Sequence, residues 1–520
     1  HVIWEYELNQ DKTVRNTLQG IAYADIKFLE DFTFTLKGDL NVRNSENSTY
    51  NNATIGDGKG SSGRSQRDIY RYKNYTFQQQ LRWNHAFGKH MLDVLVGHES
   101  YSYNYDNLYA FKTTEVFEGK TNLSNFTEMN TLTGYETNYK TESYLGRVRY
   151  NYADKYNLEV SFRRDGSSRF YKNNRWGNFG SIGANWLISE EEFMKSLTVV
   201  DQLKLRANYG QVGNDAGAGY YGYMALYAGS QNANAGAYYL TQNEALNLKW
   251  ETGESFGFAL EGRLFNRLNF SVEYFDKRNK DLLFDVYLPL SAGATSTSSA
   301  EATIAKNLGT ISNRGLEVNA NVDVYKSKKW LVNLGTNISL VKNKVVKLPE
   351  QNKDGIISGI YKIVEGKSRY EFYLYTFEGV DQLTGNSLYK TNLDDYYITL
   401  ADGSKLGNAE SGTDITSNVK LIDDTYYVNN TTYAKKELHG SALPKVYGSF
   451  TGTVSYKSLT LSTLLTYSLG GKTYDGVYAS LMSTGTSPSN YHADIMKSWK
   501  SAPEGMTEDS ADRILKNGIP

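Results

Sequence analysis

The sequence predicts an all-β protein, a transmembrane antiparallel β-barrel with long extracellular loops. Three observations predict it. Apolar and polar residues alternate over segments of roughly ten residues, the length that crosses a bilayer at a tilt, where a soluble strand averages about five or six. Tight turns and long connections alternate along the chain. The 520 residues include 43 Tyr, 21 Phe, 7 Trp and 46 Gly but only 6 Pro. Pro removes a ladder donor, and aromatic rings favour membrane interfaces.

The alternation is clearest in residues 307–341. Leu316, Val318, Ala320, Val322 and Val324 alternate there with Glu317, Asn319, Asn321, Asp323 and Tyr325. After the turn Lys326-Ser327-Lys328-Lys329 the chain returns through Trp330, Val332, Leu334 and Ile338 against Asn333, Gly335, Asn337 and Ser339. Successive strand side chains point to opposite faces, so each segment has one apolar and one wet face.

Taken in order, the first hairpin pairs a strand around Leu18, Ala22 and Phe28 with Phe32, Phe34, Leu36, Leu40 and Val42. A polar loop at 44–68 follows. The second hairpin uses Tyr75, Phe77, Leu81 and Trp83, turns at Gly88-Lys89, and returns through Leu92, Val94 and Val96. Residues 101–139 read as another long connection. The third hairpin places Tyr144, Val148, Tyr150 and Tyr152 opposite Arg147, Arg149 and Asn151, turns at Ala153-Asp154-Lys155, and returns through Tyr156, Leu158, Val160 and Phe162. Strands around Ile182 and Trp186, then Leu203 and Tyr209, lead to a Gly/Ala/Tyr-rich loop at 213–247. Phe256, Phe258 and Leu260 pair with Leu268, Phe270, Val272 and Tyr274, and a Ser/Thr/Ala-rich loop spans 291–303. A last hairpin joins Val446, Phe450 and Val454 to Leu459, Leu461 and Leu465 across Lys457-Ser458. This makes about fourteen strands with short turns at one end and long loops at the other, the outer-membrane pattern.

Composition excludes other classes. The 56 Lys+Arg against 57 Asp+Glu give a formal net charge of -1, which is no footprint for nucleic acid. Without Cys there is neither a disulfide framework nor a thiolate metal site. A mean hydropathy of -0.55 is compatible with a barrel, whose wet interior and loops make it polar on average. No run approaches the ~18 apolar residues of a membrane helix. The chain opens HVIWEYELNQ and closes in polar sequence. With no initiator Met or signal region it reads as a piece of a longer chain cut at both ends.

No catalytic or metal constellation stands out, and neither an enzyme nor a cofactor is expected. The glycines at 56–63 lack the phosphate-loop spacing. His85, His90 and His98 are too spread along extended chain for a shared metal. Asp394-Asp395 and Asp423-Asp424 lack a calcium-loop ladder. The suggestive feature is aromatic: Tyr220, Tyr221, Tyr223, Tyr227, Tyr238 and Tyr239 lie in the 213–247 loop. Such rings stack on sugar faces or peptides, and they are the candidate substrate-binding residues. Tyr396, Tyr397, Tyr426 and Tyr427 are further loop aromatics.

Several stretches resemble the SusC/RagA-type TonB-dependent outer-membrane transporters of Bacteroidetes. They are RRDGSSRFYKNNRWGNFGSIGANWLISEEEFM from Arg163, LKLRANYGQVGN from Leu203, NLGTISNRGLEVNANV from Asn307, VEGKSRYEFYLYTFEGVDQLTGNSLY from Val364 and LPKVYGSFTGTVSYKSLTLSTLLTYSLGGK from Leu443. The resemblance implies a barrel of about 22 strands around an N-terminal plug. It also implies import of a large nutrient, commonly a glycan and sometimes a peptide, energised through TonB. The implied partners are a SusD-like surface lipoprotein, outer-membrane lipid and the cargo, with assembly as a dimer of transporter–lipoprotein pairs. On this basis 1–343 is expected to hold barrel strands and loops, 344–442 a long extracellular insertion, 443–470 a further barrel hairpin and 471–520 an extracellular region ahead of missing final strands. The plug and TonB box are not among these residues. A passive porin and a non-transporting surface receptor are the alternative readings. The wet strand face, with Arg82, Arg147, Arg149, Arg163, Glu159, Glu261, Glu273, Glu317 and Asp323, is the expected inner wall, and its mixed signs suit a large, weakly charged or neutral cargo.

Overall fold

The computed structural model describes residues 2–233, 235–287, 303–483 and 490–520. In chain order the long strands are β1 (Gln10–Phe28), β2 (Phe32–Asn51), β3 (Arg64–Phe87), β4 (His90–Glu115), β5 (Phe126–Tyr152), β6 (Tyr156–Ser167), β7 (Trp176–Leu187) and β8 (Val200–Asn214). Then come β9 (Leu226–Asn232), β10 (Ala235–Gln242), β11 (Glu251–Leu264), β12 (Leu268–Lys280), β13 (Leu283–Tyr287), β14 (Thr303–Asn307), β15 (Thr310–Lys326) and β16 (Trp330–Lys347). The last two are β17 (Val446–Tyr456) and β18 (Leu459–Leu469). Hairpins β9–β10 and β13–β14 stand apart, and the other fourteen strands form one sheet in sequence order. The loop expected at 291–303 lies, except for Thr303, outside the described residues.

Registers follow the apolar alternation. Phe28 faces Phe32 across the first turn, Phe87 faces His90 across the second, and Tyr152 faces Tyr156 across the third. Leu29-Glu30, Ala153-Asp154 and Phe265-Asn266 each carry two successive positive φ angles, between 47° and 57°. Left-handed pairs match the twist of paired strands, and the short connection outweighs a cost of about 1–2 kcal/mol per non-glycine residue.

Strands β2 to β5 are longer than the alternation indicates. β4 and β5 run for 26 and 27 residues, with Glu115 still opposite Phe126, so most of the connection expected at 101–139 is strand. The loop expected at 44–68 is likewise largely paired, up to Asn51 opposite Arg64, and closes through the short 3-10 helix Gly56–Ser61. Where both faces are wet the two-residue hydrophobic period vanishes, yet backbone pairing continues because ladder hydrogen bonds do not need an apolar face.

On one face of the sheet the large apolar residues are exposed: Val148, Leu158, Val160, Phe162, Ile182, Phe256 and Phe258 among them. An apolar patch of this extent on a strand face is a lipid surface. At the short-turn end it is bounded by a nearly continuous run of rings. Phe28, Phe32, Trp83, His85, Phe87, His90, Tyr152, Tyr156 and Trp186 follow one another at centroid spacings of 4.8–6.4 Å. At the other end Tyr144 packs against His98 at 5.0 Å and Trp176 at 6.0 Å. These are aromatic girdles.

A second unit comprises Ile311–Gly315, Asn337–Thr451 and Thr463–Pro520. Within it, residues 356–441 carry a set of short strands. Ile398, Ile415, Val428 and Ala434 form one buried apolar cluster in it, and Val345, Leu348 and Ile363 another. Its most buried charge is Asp381, which meets Arg513 at 3.0 Å and also pairs with Lys420. Burial raises the Asp381 pKa, but Arg513, Lys420, the Thr384 hydroxyl and the Leu383 amide outweigh it and hold the carboxyl well below the usual range. Nearby, Gly385 has φ +75° and lies under the Trp499 ring, where a Cβ would come within 2.3 Å of ring carbon. The Trp499 indole N–H donates to the Gln382 carbonyl at 2.8 Å.

Candidate functional site

The face opposite the lipid band carries the polar residues, and its charges neutralise one another across strands. Asp93 lies between Arg82 and Arg147, at 3.1 Å from the latter. Arg149 pairs with Glu159, its direct cross-strand neighbour. Arg163 meets Asp165 at 2.6 Å and Glu99 at 3.2 Å. Arg206 bridges Glu261 at 3.1 Å and Glu273 at 2.9 Å, and Lys204 adds a 3.0 Å contact to Glu261. On β15 and β16, Asp323 accepts from the Asn333 amide at 2.8 Å. Seven of the expected wall residues, Arg82, Arg147, Arg149, Arg163, Glu159, Glu261 and Glu273, therefore form pairs of mixed sign and not a ring of one sign. Such a wall holds no strong field for ions.

Above these ladders the same face becomes a tyrosine panel. Tyr70 and Tyr72 on β3, Tyr101, Tyr103 and Tyr105 on β4, and Tyr135 and Tyr139 on β5 sit at alternate positions in the strand extensions. Their rings touch in sequence: Tyr72 and Tyr105 at 4.9 Å, Tyr105 and Tyr135 at 5.6 Å, Tyr101 and Tyr139 at 6.0 Å. Tyr220 folds down from the 213–247 loop and stacks on Tyr103 at 5.8 Å with an interplanar angle of 6°. The Arg169 guanidinium lies over both Tyr139 and Tyr220, 4.6 and 4.5 Å from the ring centres. It also donates to the Ala216 carbonyl at 2.8 Å, while Asp215 accepts from the hydroxyls of Tyr139 and Ser167 at 2.7 and 2.6 Å. Beside them Phe170, Ala218 and Leu248 form a small core with Trp250. The outer loops thus pack on their own apolar residues, which holds the panel in a fixed geometry.

The six candidate tyrosines have separate places. Tyr220 joins the panel, and the Tyr221 hydroxyl accepts the Asn138 amide at 2.9 Å. Tyr223 packs on Tyr171 at 6.0 Å. Tyr227 and Tyr238 meet edge-to-face at 5.7 Å on hairpin β9–β10, 60% and 79% exposed, and Tyr239 lies half-buried on the same hairpin. The five panel tyrosines from Tyr101 to Tyr139 were missed because their segment reads as a connection, although the spacing of Tyr101, Tyr103 and Tyr105 is itself a strand period, and Tyr70 and Tyr72 lie just ahead of the hairpin read from Tyr75. The histidines have separate partners: His85 meets Asp31, His90 meets the Tyr150 hydroxyl, and His98 meets Gln79 and Glu142. Among the described residues no group of His, Cys, Asp and Glu could hold a metal ion.

A girdled lipid face on one side of a long antiparallel sheet and a charge-balanced wet face on the other define an outer-membrane β-barrel protein. The family described as TonB dependent receptor-like, beta-barrel matches residues 3–495, and the chain belongs to that family. Among curated relatives, TonB-dependent receptor P39 of Formosa agariphila is 31% identical over 392 residues, 73% of this chain and 36% of the relative. TonB-dependent receptor P3 of the same organism is 27% identical over 94% of this chain and 48% of its own. TonB-dependent receptor SusC of Bacteroides thetaiotaomicron is 28% identical over 54% of this chain and 28% of its own. The chain thus spans less than half the length of these relatives. In fold it is similar to the RagAB peptide transporter, with a TM-score of 0.77, 21% identity, and coverage of 95% of this chain and 52% of that one. The protein is an outer-membrane SusC-like barrel of a Gram-negative bacterium.

Proposed function

We propose that this chain is the wall and outer mouth of an active importer for a large nutrient, a glycan or oligosaccharide, energised through TonB and working with a SusD-like surface lipoprotein. The observation that carries this reading is a tyrosine panel set above a charge-balanced wall. Ring faces bind the apolar faces of sugars without demanding charge, and an internally neutralised wall does not sort its cargo by sign. Exposed Tyr227 and Tyr238 make first contact, and the rings of Tyr72, Tyr103 and Tyr105 take the cargo inward. In this scheme the barrel binds and passes cargo and breaks no bond. The test is deletion of the full-length receptor, followed by growth on defined oligosaccharides and on casein peptides. Loss of growth on an oligosaccharide, repeated on loss of TonB, supports the reading. Loss on peptides alone replaces glycan with peptide, uptake that survives without TonB makes the protein a porin, and unchanged growth with surface binding of the nutrient lost makes it a receptor.

A further inference from the structure

We infer that cargo descends along one sector of the wall, a track centred on β5 to β8 and lined by hydroxyls, carboxamides and internally paired charges; this rests on the import reading above. Two recesses on the polar face mark it. The upper one, about 490 Å³, is lined by Tyr139, Thr141, Ser143, Arg163, Gln211 and Asp215. The lower one, about 630 Å³, is lined by Asn151, Asn157, Asn185 and Asn208 together with the paired charges Arg82–Asp93 and Arg149–Glu159. Both fall in the range of small-molecule sites. Tyr139 belongs to both the panel and the upper recess, and Ser181 lines both recesses. The three features are therefore joined end to end.

The uncharged part of the lining changes along the way from rings to hydroxyls to amides, beside charges that neutralise one another. The Ser161 and Ser181 hydroxyls lie 2.7 Å apart. Below them Asn151 donates to Asn157 at 2.6 Å and Asn157 to Asn185 at 3.0 Å, forming an amide ladder across three strands. Such groups both donate and accept, so they exchange partners with a polyol at little cost and hold it weakly at each step, as passage requires. The wall is also trimmed here. Gly183 faces Asn208, Gly210 faces Ser181, and Gly257 faces Asn208. Interior strand glycines weaken a sheet and mark a close approach by something else. At two of them that something is the wall's own side chain: a Cβ at Gly257 would sit 2.7 Å from the Asn208 side-chain oxygen and one at Gly210 would sit 3.2 Å from Ser181, and only Gly183, 3.8 Å from Asn208, leaves ordinary space.

The experiment compares Ser181→Trp, in the track, with Thr35→Trp, on the same polar face of β2 and outside both recesses, each in the full-length receptor in its own cells. Probes are labelled oligosaccharides and labelled casein peptides. Uptake of whichever probe the wild type imports should fall roughly tenfold or more with Ser181→Trp, because an indole blocks a step all cargo shares, and stay within about twofold with Thr35→Trp. Surface binding of the probe should persist in both. Should Ser181→Trp assemble poorly, Ser181→Cys and Thr35→Cys labelled after assembly replace the pair, and only a bulky label at position 181 should block uptake. Equal effects at the two positions, or none at either, would overturn the track. A peptide cargo that shows the same contrast keeps the track and removes the glycan assignment, so the two readings fail separately.

Discussion

Val160→Arg tests the assignment of faces most directly. Val160 sits on β6 between Val148 and Ile182, flanked along its strand by exposed Leu158 and Phe162. Tyr156, in the girdle at the short turns, lies four positions away along the strand. At ~3.3 Å per residue and a tilt near 40°, that places Val160 about 10 Å into an apolar band about 25 Å tall, close to its middle. A guanidinium there should cost about 2–4 kcal/mol. Ser161 is the next residue and points to the wet face, where its hydroxyl meets that of Ser181 at 2.7 Å. Ser161→Arg should lose only that hydrogen bond, about 1 kcal/mol. A difference of about 2 kcal/mol is roughly 30-fold in the folding equilibrium. Urea titration of the full-length receptor in lipid vesicles, followed by gel mobility, reads it. Equal costs, or a larger cost at Ser161, would refute the assignment.

Three further outcomes follow from the same contacts. Arg169→Gln removes a largely buried cation from over two rings, each contact worth about 0.5–2 kcal/mol, and its hydrogen bond to the Ala216 carbonyl, so hydrogen exchange in the 213–247 loop should rise several-fold while the lipid-facing strands stay protected. Unchanged exchange there would show that the Phe170 core alone holds the loop. Tyr227→Ala with Tyr238→Ala should weaken cargo binding by roughly fivefold or more without changing stability, because both rings are exposed; undiminished binding on isolated cells would remove the hairpin from the site. The Asp381 carboxyl is held below its unfolded value of about 3.9. Its contribution to stability is complete above that value and declines as pH falls below about 4, through the depressed pKa of the folded protein. Pepsin should therefore begin to cut the unit containing Asp381 only below about pH 4. Asp381→Asn leaves buried Arg513 without its charge partner, a loss of about 3–5 kcal/mol, and should open the same sites at neutral pH to trypsin.

The strands that cross lipid were legible because lipid and water impose a period of two, and Val160 beside Ser161 is a sufficient example. The turns were legible from their shortness. The strand extensions were not, since Tyr101, Tyr103 and Tyr105 alternate with Ser102 and Asn104 and both faces are wet. A hydrophobic period is silent there, although aromatic spacing could have revealed it. The fates of Tyr220 and Tyr238 were equally hidden. One is pressed onto Tyr103 and the other stands exposed, and only tertiary partners separate them.

The ring of aromatics at the short turns bears on how the wall takes load. Nine rings from Phe28 to Trp186 lie at one boundary, and His85 and His90 among them are tied to Asp31 and the Tyr150 hydroxyl. Displacing the sheet along the membrane normal in one direction drags imidazoles and tyrosine hydroxyls into hydrocarbon, and in the other strips ring faces of their lipid contacts. Both directions are opposed by every ring at once. A pull from the cell interior, of the kind a transmitted mechanical stroke would deliver, therefore meets a wall moored at its waterline. Under the import reading proposed above, force would then act on what the wall encloses, and the wall itself would stay at its depth in the bilayer.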